Sequence, residues 1–146
     1  MQVEAPPDRV WGLIGDPVGM TGLTAECVEM QWTGGSTGPV VGARFRGHNR
    51  SGWRHWTTTC TIVRYEPGTD IAWDVAFGPL AVARWSYRVE PGGTERVTLI
   101  TERYEDRRSA LLRATGPLVR GTGDTDGLNR SNMEDTLARI KDRAES

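Results

Sequence analysis

The hydrophobic period of this chain changes towards its C-terminal end, and the change limits the folds that the chain can adopt. In several segments between residues 25 and 104, apolar side chains recur at every second position, which predicts β-strands with one buried face. From residue 126 to residue 144 the period is instead about 3.6 residues, as in an amphipathic helix. The apolar stripe of that helix consists of Met133, Leu137, Ile140 and Ala144. A run of strands followed by one long helix predicts a sheet that packs against a C-terminal helix.

Turn residues divide the first part of the chain into elements. Glycine and proline clusters separate strands predicted over 1–5, 25–33, 41–50, 53–65, 71–77, 80–90 and 95–104. A first helix is predicted to begin with Asp8 as N-cap and to end at Gly15, with at most one further turn over 17–24. Residues 107–120 carry a weaker helical pattern, and a loop is predicted over 121–127. The spacing of the strands predicts an antiparallel meander.

Length and charge exclude several classes of function. With 146 residues, we expect one domain over residues 1–146. The formal net charge of −1 argues against a nucleic-acid-binding surface, which needs clustered Lys and Arg. No apolar run approaches the ~18 residues of a membrane span, and the N-terminus lacks a signal-peptide pattern, so we expect a cytoplasmic protein. Cys27 and Cys60 are expected to be buried thiols.

The N-terminal half of the predicted helix is polar on the side that should be buried. One turn before Met133 the stripe reaches Asn129, and Thr136 lies beside it. A buried amide without partners is costly, so a helix that only filled a core would have no use for Asn129 there. A helix that closes one end of a cavity can use the amide to orient a ligand. The alternative is that Asn129 bonds backbone groups at the start of the helix.

The order of elements and several short motifs resemble the START/Bet v1-like superfamily and, more narrowly, its bacterial polyketide cyclase/dehydrase branch. The motifs are Ala5–Trp11, Gly42–Phe45, Asn49–Arg50, Glu66–Gly68, Trp85–Tyr87 and Leu128–Arg130. The resemblance implies an α+β helix-grip fold, in which a curved antiparallel sheet of six to seven strands wraps around a long C-terminal helix, with two short helices after the first strand. It also implies an elongated cavity between sheet and helix, and pockets of this kind measure roughly 300–1,000 Å³. No cofactor is implied.

The first strand departs from the family pattern, because 1–5 is shorter than usual. This leaves the pairing of one sheet edge in doubt. An unpaired edge favours association, so a homodimer is among the expected states of the chain.

The alternation of the strands predicts which side chains line the cavity. The expected ligand-binding residues are Phe45, Asn49, Trp56, Thr58, Trp73, Trp85 and Met133, and the expected catalytic residues are Tyr87, Asn129 and Glu102. Aromatic rings would stack on a flat hydrophobic ligand, and the polar groups would bind its carbonyls and hydroxyls. The alternative for each aromatic residue is ordinary core packing.

Alternation does not decide which face of the last strand points inwards. If the Glu102 set does, a desolvated carboxylate with a raised pKa could act as general acid or base. If the Thr101 set does, Glu102 is an exposed residue paired with an arginine. The arginine-rich face with Arg44, Arg46, Arg64, Arg84 and Arg88 is predicted to be solvated and paired with acidic residues.

The two histidines, His48 and His55, flank a turn and could approach each other, but no third metal ligand is near them in the sequence, so no metal site is predicted. A surface role, or proton transfer at the mouth of the cavity, remains open for them. The sequence contains no nucleophile elbow, phosphate-binding glycine loop or dinucleotide motif, which sets kinase, hydrolase and dehydrogenase functions aside.

Two functions therefore remain open. The first is a cofactor-independent cyclase or dehydratase of aromatic or polyketide-like substrates. The second is a protein that binds or carries a lipid, a quinone or another hydrophobic metabolite without chemistry. A third and weaker hypothesis is a partner-interaction module that uses the surface of the sheet.

Overall fold

A computed structural model of the chain describes residues 1–20, 22–24, 27–108 and 125–146, with the backbone alone at 27, 28, 51 and 125–129. Its elements are β1 (Gln2–Val3), α1 (Pro7–Ile14), a 3₁₀ turn (Val18–Met20), β2 (Cys27–Thr33), β3 (Arg44–Ser51), β4 (Arg54–Glu66), β5 (Asp70–Phe77), β6 (Leu80–Pro91), β7 (Thr98–Asp106) and α2 (Thr125–Glu145). Most of the weaker helical pattern predicted over 107–120, and the first part of the loop predicted over 121–127, lie outside the described residues.

The strands form one antiparallel sheet in the order β1-β7-β6-β5-β4-β3-β2. The predicted meander and the predicted helix-grip fold are confirmed, because each strand from β2 to β7 pairs with its neighbour in the sequence and α2 follows the last of them. The first strand is only two residues long, and it joins the sheet through the pairs Gln2–Leu99 and Val3–Thr98.

The prediction that Asp8 is the N-cap of the first helix is wrong. The N-cap is Pro6, and Pro7 is the first helical residue. Proline is favoured at this position because its missing N–H would have no partner within the helix. Asp8 lies in the first turn of α1 instead, where its negative charge faces the positive end of the helix dipole.

One end of the sheet is filled by a solid apolar core. Val10 and Ile14 of α1, together with Ile100 of β7 and Ile140 and Ala144 of α2, are fully or almost fully buried in one cluster. Trp11 packs on Tyr65 near the end of β4, with a distance of 6.1 Å between ring centroids. The Arg9 side chain donates hydrogen bonds to the carbonyl oxygens of Ala144 and Ser146. These contacts fix α1 and the C-terminal end of α2 over this end of the sheet, which we call the closed end.

The buried stripe of α2 is rotated from the one that the sequence predicts. Thr136, Ile140 and Ala144 are buried, whereas Met133 and Leu137 are only half-buried. The buried row therefore follows an i, i+4 spacing. Thr136 can be buried because its hydroxyl donates to the backbone carbonyl of Asn132 at 2.8 Å. In the described parts of the chain, no helix is long and apolar enough to span a membrane.

Candidate functional site

A cavity of about 160 Å³ lies between the concave face of the sheet and the N-terminal half of α2. Strands β3 to β7 each contribute side chains to it, and α2 contributes Asn132 and Thr136. The cavity is smaller than the roughly 300–1,000 Å³ expected from ligand pockets in general. It is comparable with an apolar cavity of about 150 Å³ that is known to hold benzene. The volume is therefore that of a ligand with about one ring.

Six aromatic residues line the cavity. Trp73 lies in the middle of the sheet, stacks on Tyr87 with centroids 5.7 Å apart, and meets Phe45 edge to face at 5.9 Å. Trp85 and Tyr104 form a second pair, with centroids 4.9 Å apart. These rings are adjacent because the register pairs Trp73 with Trp85 and Trp85 with Tyr104 across three neighbouring strands. These neighbouring rings form an apolar surface that suits a flat ligand.

A tyrosine and a glutamate are hydrogen-bonded to each other at this wall. The register pairs Tyr87 of β6 directly with Glu102 of β7, and the Tyr87 hydroxyl donates to Glu102 Oε1 at 2.7 Å. Burial raises the pKa of Glu102 to about 7, and the hydrogen bond from Tyr87 partly opposes the rise. Burial, with the neighbouring charge of Glu102, raises the pKa of Tyr87 well above its ordinary value. Tyr87 therefore stays protonated, while Glu102 can exchange a proton near neutral pH.

A second polar group lies on β3 and β4. The side-chain amide of Asn49 donates to Thr58 Oγ1 at 3.0 Å and to the carbonyl oxygen of Gly47 at 3.3 Å. Both of its N–H bonds are thus directed at protein acceptors, which fixes the orientation of the amide. Its Oδ1 can then accept a hydrogen bond from a ligand in the cavity.

The structure brings most of the predicted site residues to this one cavity. They are Phe45, Asn49, Trp56, Thr58, Trp73, Trp85, Tyr87 and Glu102. The face of β7 that the sequence left open is the Glu102 face, so the alternative of an exposed Glu102 paired with an arginine is wrong. Met133 does not line the cavity; it borders an open depression that also shares Glu102 and Tyr104. The side chain of Asn129 lies outside the described residues.

Sequence reasoning missed several residues of the lining. Cys60 and Tyr104 belong to the same alternating sets as Thr58 and Glu102, so strict alternation would have found both. Asn132 was missed because the predicted helical stripe was centred on Met133 and Leu137, and Thr136 was placed beside that stripe but not among the ligand-binding residues. Cys60 is a buried thiol, as expected, and the side chain of Cys27 is not described.

The histidines and the described arginines do not line the cavity. His48 alternates with the cavity-facing residues of β3, and its Nδ1 is 3.3 Å from Thr57 Oγ1, while His55 is exposed. Neither belongs to the lining. In the described ranges, no three His, Cys, Asp or Glu residues come together as a metal site would require. Of the arginines on the outer face, Arg64 pairs with Asp70, Arg84 with Asp74 and Arg88 with Glu90.

Comparison with known protein families places this cavity in context. Residues 1–145 match the family described as polyketide cyclase/dehydrase and lipid transport. The chain belongs to this family. No curated protein shows significant similarity to this chain.

Solved structures show the same fold at low sequence identity. The Zhui aromatase/cyclase from a Streptomyces species is 19% identical, with a TM-score of 0.70 over 99% of this family member and 90% of that chain. A polyketide-cyclase-like protein from Corynebacterium glutamicum is 24% identical, with a TM-score of 0.58 over 97% and 85% of the two chains. The di-domain aromatase/cyclase StfQ from the steffimycin biosynthetic pathway is 14% identical, with a TM-score of 0.71 over 99% of this chain and 48% of that one.

Proposed function

We propose that this protein binds a small aromatic or otherwise hydrophobic molecule in the cavity and acts on it as a cofactor-independent, cyclase- or dehydratase-like acid–base catalyst. The observation that carries the proposal is the Glu102 carboxyl in an aromatic cavity, hydrogen-bonded to Tyr87 at 2.7 Å. Membership of the polyketide cyclase/dehydrase family and the shared fold of two aromatase/cyclases support this class of substrate.

Glu102 would transfer the proton. An acid or base works best when its pKa is near the operating pH, because both protonation states are then available. Glu102 meets this condition, since burial brings its pKa to about 7. Removing a proton next to a carbonyl, or delivering one to a leaving hydroxyl, are the steps that enolisation and dehydration need. Tyr87 would position the carboxylate through Oε1, and a small turn of the Glu102 side chain would bring Oε2 to the substrate.

The remaining polar groups would hold the substrate. Asn49 Oδ1 can accept from a hydroxyl, and Asn132 lies on the facing side of the cavity, on α2. Asn129 remains a proposed member of this set. The aromatic residues would hold the ring by stacking, so that the reacting carbon meets the carboxylate. Positioning of this kind can lower a barrier by several kcal/mol.

A model substrate tests the acid–base function directly. 2-Indanone is a small ketone, a benzene ring fused to a cyclopentanone, with acidic hydrogens next to its carbonyl, and their exchange in D₂O can be followed by proton NMR. We expect the protein to accelerate this exchange. Glu102→Gln should abolish the acceleration and Tyr87→Phe should reduce it at least about tenfold, whereas Glu105→Gln, a change on the exposed face of the same strand, should leave it unchanged.

The second candidate is a carrier that binds without chemistry. It is favoured by the small, mostly apolar lining, in which Glu102 is the one carboxylate among the described residues. Native mass spectrometry of the purified protein would detect a molecule that travels with it. If 2-indanone binds to the wild-type protein but exchanges no faster than in buffer, catalysis is excluded for this class of ketone and the carrier function is the one to keep.

A further inference from the structure

The charge of the cavity lining is one-sided. The whole chain contains 18 Lys and Arg residues, but none of them, and neither histidine, is among the described residues that line the cavity. Glu102 is the one carboxyl in the same lining. A ligand therefore meets one acidic group and no fixed positive charge on the described walls.

One oxygen of that carboxyl has no partner. Oε1 accepts the hydrogen bond from Tyr87, while Oε2 is buried and receives no hydrogen bond from any described residue. A buried acceptor without a donor is unfavourable, and a charged one more so. None of the described residues supplies that donor, so a donor carried by a ligand would satisfy the carboxyl once its side chain turns towards the cavity.

The aromatic lining of the cavity favours a positive charge over a negative one. Six aromatic residues line the cavity: Phe45, Trp56, Trp73, Trp85, Tyr87 and Tyr104. The faces of aromatic rings carry partial negative charge, so they attract an ammonium group and disfavour a carboxylate. A carboxylate and several rings around one small space are the two components that recognise a desolvated organic cation.

The arginines near Glu102 do not neutralise it from outside. Arg64, Arg84, Arg103 and Arg130 border the open depression that also reaches Glu102. Arg64 and Arg84 are held in ion pairs with Asp70 and Asp74, and Arg103 and Arg130 are exposed to solvent. Tyr87 is the donor that the described residues supply to the Glu102 carboxyl.

We propose that the cavity selects a small aromatic amine in its protonated form, whose ammonium group donates to the Glu102 carboxyl while its ring lies against the tryptophans. This inference rests on the proposed function only in using the same cavity as a ligand site, and it adds the charge of the ligand. The cavity volume of about 160 Å³ accommodates about one ring with a short side chain. Aromatic carboxylates of the same size are excluded.

Three probes of matched size separate the charge of the ligand from its shape. Benzylamine, benzyl alcohol and benzoate are titrated into the wild-type protein at pH 8, with calorimetry or tryptophan fluorescence as the readout. At this pH benzylamine is protonated and Glu102 is largely ionised. We expect benzylamine to bind at least about tenfold more tightly than benzyl alcohol, and benzoate to show no binding.

Matched variants assign the preference to one carboxyl. Glu102→Gln keeps the shape of the side chain and removes its charge, so benzylamine should lose at least about tenfold in affinity while benzyl alcohol changes by less than about threefold. Glu105→Gln removes a charge from the exposed face of the same strand and should change neither. The comparison of probes on the wild-type protein does not depend on either variant folding.

The outcomes distinguish this inference from the proposed function. If benzyl alcohol or benzoate binds as tightly as benzylamine, the charge selection is wrong, although the cavity still binds ring-sized ligands. If benzylamine is preferred equally by the wild-type protein and Glu102→Gln, Glu102 is not the recognition group and the inference is again overturned. If none of the three probes binds, the cavity is not a site for ring-sized ligands, and the inference and the proposed function fail together.

Discussion

The two ends of the concave sheet face are built for different purposes, although the same helix covers both. At the closed end, Ile140 and Ala144 of α2 pack into an aliphatic core with α1. About one and two turns earlier, roughly 6 and 12 Å along the helix axis, Thr136 and Asn132 face a cavity with aromatic walls and a carboxyl. The helix changes from apolar to polar within one turn. Packing at the closed end therefore leaves the end with the cavity, which we call the open end, free to stay hollow.

Substitutions on α2 test this difference most strongly. Ile140→Ala removes a fully buried side chain from the closed end and should lower the free energy of unfolding by about 2–5 kcal/mol. Thr136→Ala, one turn away, should cost about 1 kcal/mol or less, because its side chain already borders empty space and its hydroxyl bonds only its own helix. Urea unfolding followed by tryptophan fluorescence measures both changes. Equal losses would mean that the two ends are packed alike, and the comparison would fail.

The pH dependence of stability tests the open end alone. Glu102 has a pKa of about 7 in the folded protein and 4.5 as its ordinary value. Between these values the folded state binds more protons than the unfolded state, so the free energy of unfolding falls as the pH rises through this interval and levels off above it. The full difference corresponds to roughly 3 kcal/mol.

Glu102→Gln should remove that fall. We expect the variant to be less stable than the wild-type protein by no more than about 1 kcal/mol at pH 4, and more stable than it by roughly 2–3 kcal/mol at pH 8. Other titrating groups contribute equally to both proteins and cancel in the difference. Glu105→Gln provides the matched control. Parallel stability curves for the wild-type protein and Glu102→Gln would place the carboxyl in contact with water and remove the basis for its role.

Sequence alone predicted the sheet well, because alternation is a local property of the chain. Trp56, Thr58 and Cys60 must share a face once β4 is extended, and turn residues such as Gly68, with a φ of +83°, mark the ends of the strands. The first helix was misplaced by two residues because Asp8 is a good capping residue in general. The two prolines before it decided the local geometry instead.

The site was harder to predict because it depends on how separate elements meet. The pairing of β7 with β6 decides whether Glu102 faces inwards. Hydrophobicity could not decide it, because both faces of β7 carry apolar residues. The row of α2 side chains that faces inwards is set by the packing of α2 against α1 and the sheet. A small rotation of the helix from its predicted orientation was enough to place Asn132, and not Met133, at the cavity. The volume of the cavity has no local signature in the sequence.

The smallest effect is expected on the outer face directly behind the open end. Asp74 lies between Trp73 and Val75, which line the cavity, and it accepts hydrogen bonds from Arg84 at 2.6 and 3.0 Å and from Arg107 at 2.8 Å. The hydrogen bond from Arg84 is the main reason that the pKa of Asp74 is lowered. Its contribution to stability is therefore present above its ordinary pKa of 3.8 and is lost as the pH falls through the lower folded value.

Because Asp74 is partly exposed, with 31% of its side chain accessible, solvent screens these ion pairs. Asp74→Asn should lower the free energy of unfolding by about 1 kcal/mol or less at pH 7 and low salt, and by less in 1 M NaCl. The affinity for benzyl alcohol should not change. A loss of more than about 2 kcal/mol in the free energy of unfolding, together with weaker binding, would contradict this expectation. It would show that ion pairs on the outer face, and not the packing at the closed end, maintain the shape of the open end.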